Sequence, residues 1–446
     1  MVRRSRIQFE EPEATDLLDA VRELANPLDS RDDLDPLLER IGGARFVLLG
    51  EASHGTADYY DWRRRISERL IREKGFSFIA VEGDWPDCYR VNRYVKARPN
   101  AGASAHDVLH AFHRWPTWIW ANEEIVELAQ WMHEFNQDLP EERKVGFYGL
   151  DVYSLWESMD AVLGYLHQHQ SDAVEAAREA FACFEPYGRD EQEYARATMW
   201  IPKSCEEDVV RMLHELQRNR PKYERDGREE FFNAEQNALV TRNAEKYYRT
   251  MVRGDAASWN VRDGHMVEIL NRLVDFHGDD CKAIVWEHNT HIGDARYTDM
   301  AADGMVNVGQ LVRQQHGADG VVLVGFSSYR GTVIAGDYWG APMRKMPVPP
   351  ARTGSWEDVL HHACDRDALL ILEPGADSMP LLEPRGHRAI GVVYRPAVEA
   401  HGNYVATVFP KRYDAFIYLA ETTALHPLHN AADLVHEVPD TYPTGV

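Results

Sequence analysis

The residues best suited to chemistry in this chain of 446 amino acids stand just after short apolar runs. Arg45-Phe-Val-Leu-Leu-Gly50 leads into Glu51-Ala52-Ser53-His54-Gly55, and Phe76-Ser-Phe-Ile-Ala-Val-Glu82 leads into Gly83-Asp84. Lys144-Val-Gly-Phe-Tyr-Gly-Leu ends on Asp151, and Ala283-Ile-Val-Trp-Glu287 runs into His288-Asn289-Thr290-His291. A histidine beside a carboxylate is a common device for removing a proton near neutral pH, because the carboxylate fixes the tautomer and stabilises the imidazolium. Glu51 and His54 can pair in this way across a tight loop. Any one of these exits reads as a helix cap or a solvated turn. Taken jointly, acids and histidines at four exits predict a common cleft. Arg63 could reach that cleft as a fixed positive charge, although in the run Arg63-Arg64-Arg65 it reads first as a surface residue.

The elements that must position these groups follow from the same runs. Short apolar runs closed by glycine or an acid are buried strands, and helix-length segments between them make a parallel sheet. In such open sheets ligands bind beyond the carboxyl ends of the strands. Residues 57–73 carry charges at helical spacing and are stopped by Gly75. Residues 105–138 read as helical and aromatic-rich, with Trp115, Trp118, Trp120 and Trp131 more suited to a core than to a substrate platform. From 155 to 275 apolar residues recur at helical intervals and no strand-like run intervenes, which predicts a helical insertion. The sheet resumes at 283–287 and 320–326, and runs at 368–373, 388–394, 404–409 and 414–420 are expected to extend it, some antiparallel. The expected fold class is therefore α/β: a mostly parallel central sheet flanked by helices, with a helical insertion or cap subdomain. Its expected parts are a lead-in at 1–40, core at 41–154 and 276–446, and the insertion at 155–275.

Composition excludes several alternatives. The 72 Asp and Glu against 49 Lys and Arg give a formal charge of −23, which repels phosphate backbones and argues against nucleic-acid partners. No run approaches the roughly 18 apolar residues a membrane helix needs, and no secretory leader is evident, so the default location is the cytoplasm. Of the basic residues 40 are arginine, a bias that high genomic G+C or adaptation to strong salt would each produce. The cysteines (Cys88, Cys183, Cys205, Cys281, Cys364) are odd in number and scattered, so reduced, mostly buried thiols are expected. There is no Gly-x-Ser-x-Gly elbow, Walker loop or dinucleotide fingerprint, which leaves water as the simplest nucleophile. Glu51-x-x-His54 and His288-x-x-His291 have metal-ligand spacing, so a metal-dependent hydrolase is an alternative, as is a non-enzymatic binder of a bulky apolar ligand. The histidines at 106, 110, 113, 361, 362, 426 and 429 read as surface or core residues.

The chain also resembles the erythromycin esterase family. The resemblance is carried by Leu49-Gly-Glu-Ala-Ser-His-Gly55, Arg63, Ala80-Val-Glu82, Gly149-Leu-Asp151, Asn260-Val-Arg-Asp-Gly-His-Met266, Glu287-His-Asn-Thr-His-Ile292 and Gly325-Phe-Ser-Ser-Tyr-Arg-Gly331. It implies an α/β core with a helical subdomain, and hydrolysis of a carboxylic ester or lactone, with a macrolide-like substrate in view and no obligatory cofactor or metal. By this resemblance His54 would activate water with Glu51 as its carboxylate. Arg63, Glu82, His288 and His291 would line the site, and Arg262 and Asp151 would face the substrate. Arg63 or a protonated His288 would stabilise the oxyanion, and His288 or Glu82 would return the proton. If Glu51 and Glu82 lie close, one of them should have a raised pKa. The segments 82–88 and 113–120 look like those of a broader branch of the family, distinct from its macrolide-inactivating members.

Overall fold

The computed structural model describes residues 11–169, 173–187, 191–199, 205–218, 227–252, 256–372 and 379–429. Its strands are β1 (Ala25–Pro27), β2 (Phe46–Leu49), β3 (Phe78–Asp84), β4 (Gly146–Asp151), β5 (Ala283–Trp286), β6 (Val321–Ala335), β7 (Arg344–Val348), β8 (Ala368–Ile371), β9 (Arg385–Arg388), β10 (Tyr404–Thr407) and β11 (Ala415–Thr422). Nine of them form one sheet in the order β1-β8-β11-β6-β2-β5-β3-β4, with β7 alongside β6. The contiguous run from β11 to β4 is parallel, and β1, β7 and β8 join antiparallel. The expected α/β class with a mostly parallel sheet is what forms.

The strands alternate between two apolar layers, as a period of two requires. Phe46, Leu48, Phe78, Ala80, Val285 and Leu323 point to one core, and Val47, Leu49, Ile79, Val81, Ile284 and Val322 to the other. A sheet covered on both faces selects continuous apolar strands, which is why these runs could be read directly. The second layer packs against the helices Ala57–Lys74, Trp85–Val95 and Glu123–Gln137. The first layer is continuous with the helices Leu155–Gln168, Ala173–Ala182, Glu206–Arg218, Arg228–Met251 and Ala256–His277. Among the described residues no strand falls between Asp151 and Ala283. No described helix is long and apolar enough to cross a membrane.

Four local expectations are corrected. The stretch 105–138 is not one helix but Ala105–His110 and Glu123–Gln137, joined by a loop containing Pro116, whose missing N–H and effect on its predecessor break a helix. The runs near 388 and 404 do not extend the sheet; β9 and β10 form a separate two-stranded ribbon. His387 and Arg388 of β9 are buried on Glu357 and Glu399, and such polar side chains would be unsatisfied in a sheet with two apolar faces. Arg63 is fully buried rather than at the surface. The fourth concerns sulfur: Cys183 and Cys205 form a disulfide that joins the start of the helix Glu206–Arg218 to the end of Ala173–Ala182. Thiol titration of the unreduced, denatured chain should therefore find three free cysteines (Cys88, Cys281 and Cys364); finding five would refute the bridge. Residues 1–10 of the expected lead-in and 430–446 of the second core part lie outside the described residues.

Candidate active site

Between β2 and the helix Ala57–Lys74 the chain folds over itself with no room for side chains. A Cβ on Gly50 would overlap the Asn289 side chain, and one on Gly55 would overlap the Ile334 backbone, so both positions need glycine. The Gly55 carbonyl accepts from the amides of Ile334 and Leu425, the Ala52 carbonyl accepts from Ile390, and Asn289 donates to the Glu51 carbonyl. The loop is pinned from four sides, which fixes where Glu51 and His54 point.

His54 Nδ1 lies 2.9 Å from Glu51 Oε1, and the other Glu51 oxygen accepts from Arg63 Nη2 at 2.7 Å. The Arg63 guanidinium rests over the rings of Tyr60 and Trp286. With Nδ1–H donating to a carboxylate, His54 keeps Nε2 as its basic nitrogen. That nitrogen is 4.0 Å from Glu82 Oε1, at the end of β3. Burial opposes protonation of His54, but the carboxylates of Glu82 and Glu51 outweigh it and raise its pKa above the ordinary value.

A second network meets the first at Glu82. Arg262, on the helix Ala256–His277, donates to Glu82 Oε1 at 2.7 Å and grips Asp151 with two bonds of 2.9 and 2.6 Å. His291 Nδ1 lies 2.9 Å from Asp263 Oδ1 and its Nε2 3.1 Å from Arg262 Nη1, and Trp259 stacks on its ring. Despite burial, which raises it, Glu82 is held well below the carboxylate range by His291, Arg262 and His54. It also accepts the His288 amide at 2.8 Å. His288 Nδ1 bonds the Thr290 hydroxyl and accepts the Thr290 amide, which puts the imidazole proton on Nε2. Burial, and then the nearby His54, push the His288 pKa well below its ordinary value.

All eight expected site residues therefore share two joined networks, but they do not all face one hollow. A cavity of about 120 Å³ is bordered by His54, Glu82, Asp151 and Arg262, whereas Glu51, Arg63, His288 and His291 stand behind them. Arg63 holds Glu51 rather than facing an oxyanion, so among the expected site residues the guanidinium at the cavity wall is that of Arg262. His288 is an uncharged imidazole, not a protonated one, and Glu82 is an anion, not a proton donor. The carboxyl that burial raises well above its ordinary value, reinforced by the charges of Glu82 and Asp263, is Glu287; neither of its oxygens has a hydrogen-bond partner. The metal alternative fares poorly on donor geometry. The carboxylates converge on a guanidinium, and among the described residues no group of three or more His, Cys, Asp or Glu is arranged to hold an ion.

Sequence reasoning missed Asp263, Trp259 and the environment of Glu287, although Asp263 lies beside Arg262 in a quoted block. Trp115, Trp118 and Trp120 are buried in the core as expected, and Trp115 and Trp120 also border the cavity. The burial of Arg63 did have a signal: it shares a helical face with Tyr59, Tyr60, Ile66, Ser67 and Leu70, all buried.

An α/β sheet whose strand ends carry a carboxylate-bound histidine beside a buried arginine–carboxylate cluster belongs to the class of acid–base sites. The erythromycin esterase family profile matches residues 71–422, and the chain belongs to that family, which supports a hydrolase. It is 22% identical to erythromycin esterase type II of Escherichia coli over 345 residues, covering 70% of this chain and 75% of that one. It is also 22% identical over 423 residues to the putative hydrolase YbfO of Bacillus subtilis, covering 90% and 89%. Among solved structures, a Bacillus cereus protein superposes with a TM-score of 0.76 at 20% identity, covering 94% of this chain and 99% of its own. An erythromycin esterase mutant in its open conformation gives 0.66 at 18%, covering 91% and 96%.

Proposed function

We propose that this protein hydrolyses a small carboxylic ester or lactone, with water as nucleophile and His54 as base. The observation that carries this reading is the placement of His54: it borders the cavity with Nδ1 tied to Glu51 and Nε2 left opposite the Glu82–Arg262 pair. His54 Nε2 takes a proton from water, and the hydroxide oxygen forms a bond to the ester carbonyl carbon. The oxyanion that results is stabilised by the Arg262 guanidinium, an effect worth about 3–4 kcal/mol per well-aimed donor. Collapse breaks the bond to the alkoxide oxygen, which takes back the proton from His54. Glu82 holds Arg262 in place and stabilises the imidazolium between these two steps.

The names of the relatives point to a macrolide lactone. A cavity of about 120 Å³ favours a smaller ester, since a cavity of about 150 Å³ is of the size that holds a single benzene ring. A panel running from short acyl esters to 14-membered lactones tests this. Turnover confined to small esters is expected, and turnover of macrolides alone would overturn the size argument. Failure to hydrolyse any member would overturn the hydrolytic reading itself.

The pH profile provides a further test. The base works only when uncharged, so kcat/KM should rise with pH, with a midpoint above about 6.5, because Glu82 and Glu51 raise the His54 pKa. Glu51→Gln removes one stabilising charge and should move the midpoint down while lowering the plateau. A midpoint that stays in place in this variant would show that the titrating group is not His54.

A further inference from the structure

Among the described residues four indoles border the cavity: Trp115, Trp120, Trp259 and Trp339. A tryptophan N–H withdrawn from water normally finds an acceptor. Three of these do, Trp115 on the carbonyl of Ala341, Trp120 on that of Glu82 and Trp259 on that of Val306. Trp339 does not: its Nε1 is enclosed and has no hydrogen-bond partner. The first three are buried, whereas Trp339 is half-buried, so it both borders the cavity and reaches solvent.

The loop that carries Trp339 is fixed by other groups. It joins β6 to β7 across residues 336–343. Gly336 donates to the Val392 carbonyl and accepts from Tyr394, Ala341 donates to the Tyr338 carbonyl, and the Trp115 indole holds the Ala341 carbonyl. Gly340 turns the chain at a φ of 78°, in the left-handed region that suits glycine. The Trp339 side chain takes part in none of these bonds; its ring stands edge-on to Trp115, with centroids 4.8 Å apart. An enclosed N–H without an acceptor works against stability. In a loop already pinned, what the indole does is fill space at the cavity wall.

We propose that Trp339 sets the upper size of the substrate, its indole closing the side of the cavity that faces the β6–β7 loop. The cavity of about 120 Å³ falls short of the roughly 150 Å³ that holds a benzene ring. A bicyclic indole is larger than a phenyl ring, so its removal opens room for one. The substrate class of the unaltered chain is thus an ester or lactone with small, non-aromatic groups on both sides of the carbonyl. The ester part of this statement rests on the hydrolytic reading above, whereas the size limit does not.

Ligand-observed NMR titration of the full chain separates the two. The probes are butan-2-one and acetophenone, ketones that present a carbonyl and cannot be hydrolysed. Acetophenone has the larger apolar surface to bury, so in a roomy site it is the tighter ligand. In the unaltered chain it is expected to bind no more tightly than butan-2-one. In Trp339→Ala it should bind at least tenfold more tightly, and Trp339→Phe should fall between. An unaltered chain that already prefers acetophenone tenfold, or a preference unchanged in Trp339→Ala, would overturn the size limit. If Trp339→Ala melts below the assay temperature, the ratio in Trp339→Phe decides in the same way. Tyr338→Ala, an exposed position in the same loop that does not border the cavity, should behave as the parent. A shift there equal to that of Trp339→Ala would assign the effect to a loosened loop and overturn the role given to the indole. The expected shift in a protein that hydrolyses no ester would sustain the size limit while removing the hydrolytic reading.

Discussion

Replacement of His54 by alanine should lower kcat/KM for any ester the protein hydrolyses by about 10²–10⁴-fold, the range of a positioned general base. The fold should survive, because the loop that carries His54 is held by backbone bonds from Ile334, Leu425, Ile390 and Asn289 rather than by the imidazole. The loss should fall mainly on kcat, since the base acts on water in the transition state and contributes little to ground-state binding. Turnover that persists at the parent rate in this variant would refute the mechanism, whatever the substrate.

Arg262→Met should be the most destabilising single change at the site. The guanidinium is the shared partner of Glu82 and Asp151 and donates to His291. Its removal strands two buried carboxylates, a situation that typically costs about 3–5 kcal/mol. Part of that cost would be relieved by proton uptake. Glu82, now held well below the usual carboxylate range with His291 and Arg262 among the causes, should rise in the variant. Stability of the variant should accordingly recover as pH falls towards the carboxylate range. Denaturant melts across pH 4–8 check this: the gap to the parent should narrow at the acid end. A gap independent of pH would show that Arg262 contributes packing rather than charge.

Much of this architecture was legible in the amino-acid sequence for a physical reason. A sheet buried on both faces demands apolar strands, and its carboxyl ends demand polar exits, so β2, β3, β4 and β5 announced both themselves and the site. What could not be read depends on distant partners. Whether Arg63 faces solvent or Glu51 depends on how its helix rolls against β5. His288 looked like a proton donor by residue type, yet burial beside His54 and the Thr290 amide keep it uncharged. The Cys183–Cys205 bridge joins residues whose approach is set by helix packing, not by any spacing motif. The apolar runs at 388–394 and 404–409 read as extensions of the sheet, and the ribbon that forms there instead carries His387 and Arg388 paired with the distant Glu357 and Glu399.

The order in which the chain is made bears on when this site can exist. The loop bearing His54 is synthesised early, but the last of its clamps come late: Thr423 accepts from Ala57, Leu425 donates to Gly55, and His426 and Leu428 bond to Glu123 and Ala121, at the end of the tryptophan loop. β11, which completes the parallel run beside β6, precedes them by only a few residues. A chain synthesised only as far as residue 422 therefore lacks the last bonds that tie this loop and the tryptophan loop in place.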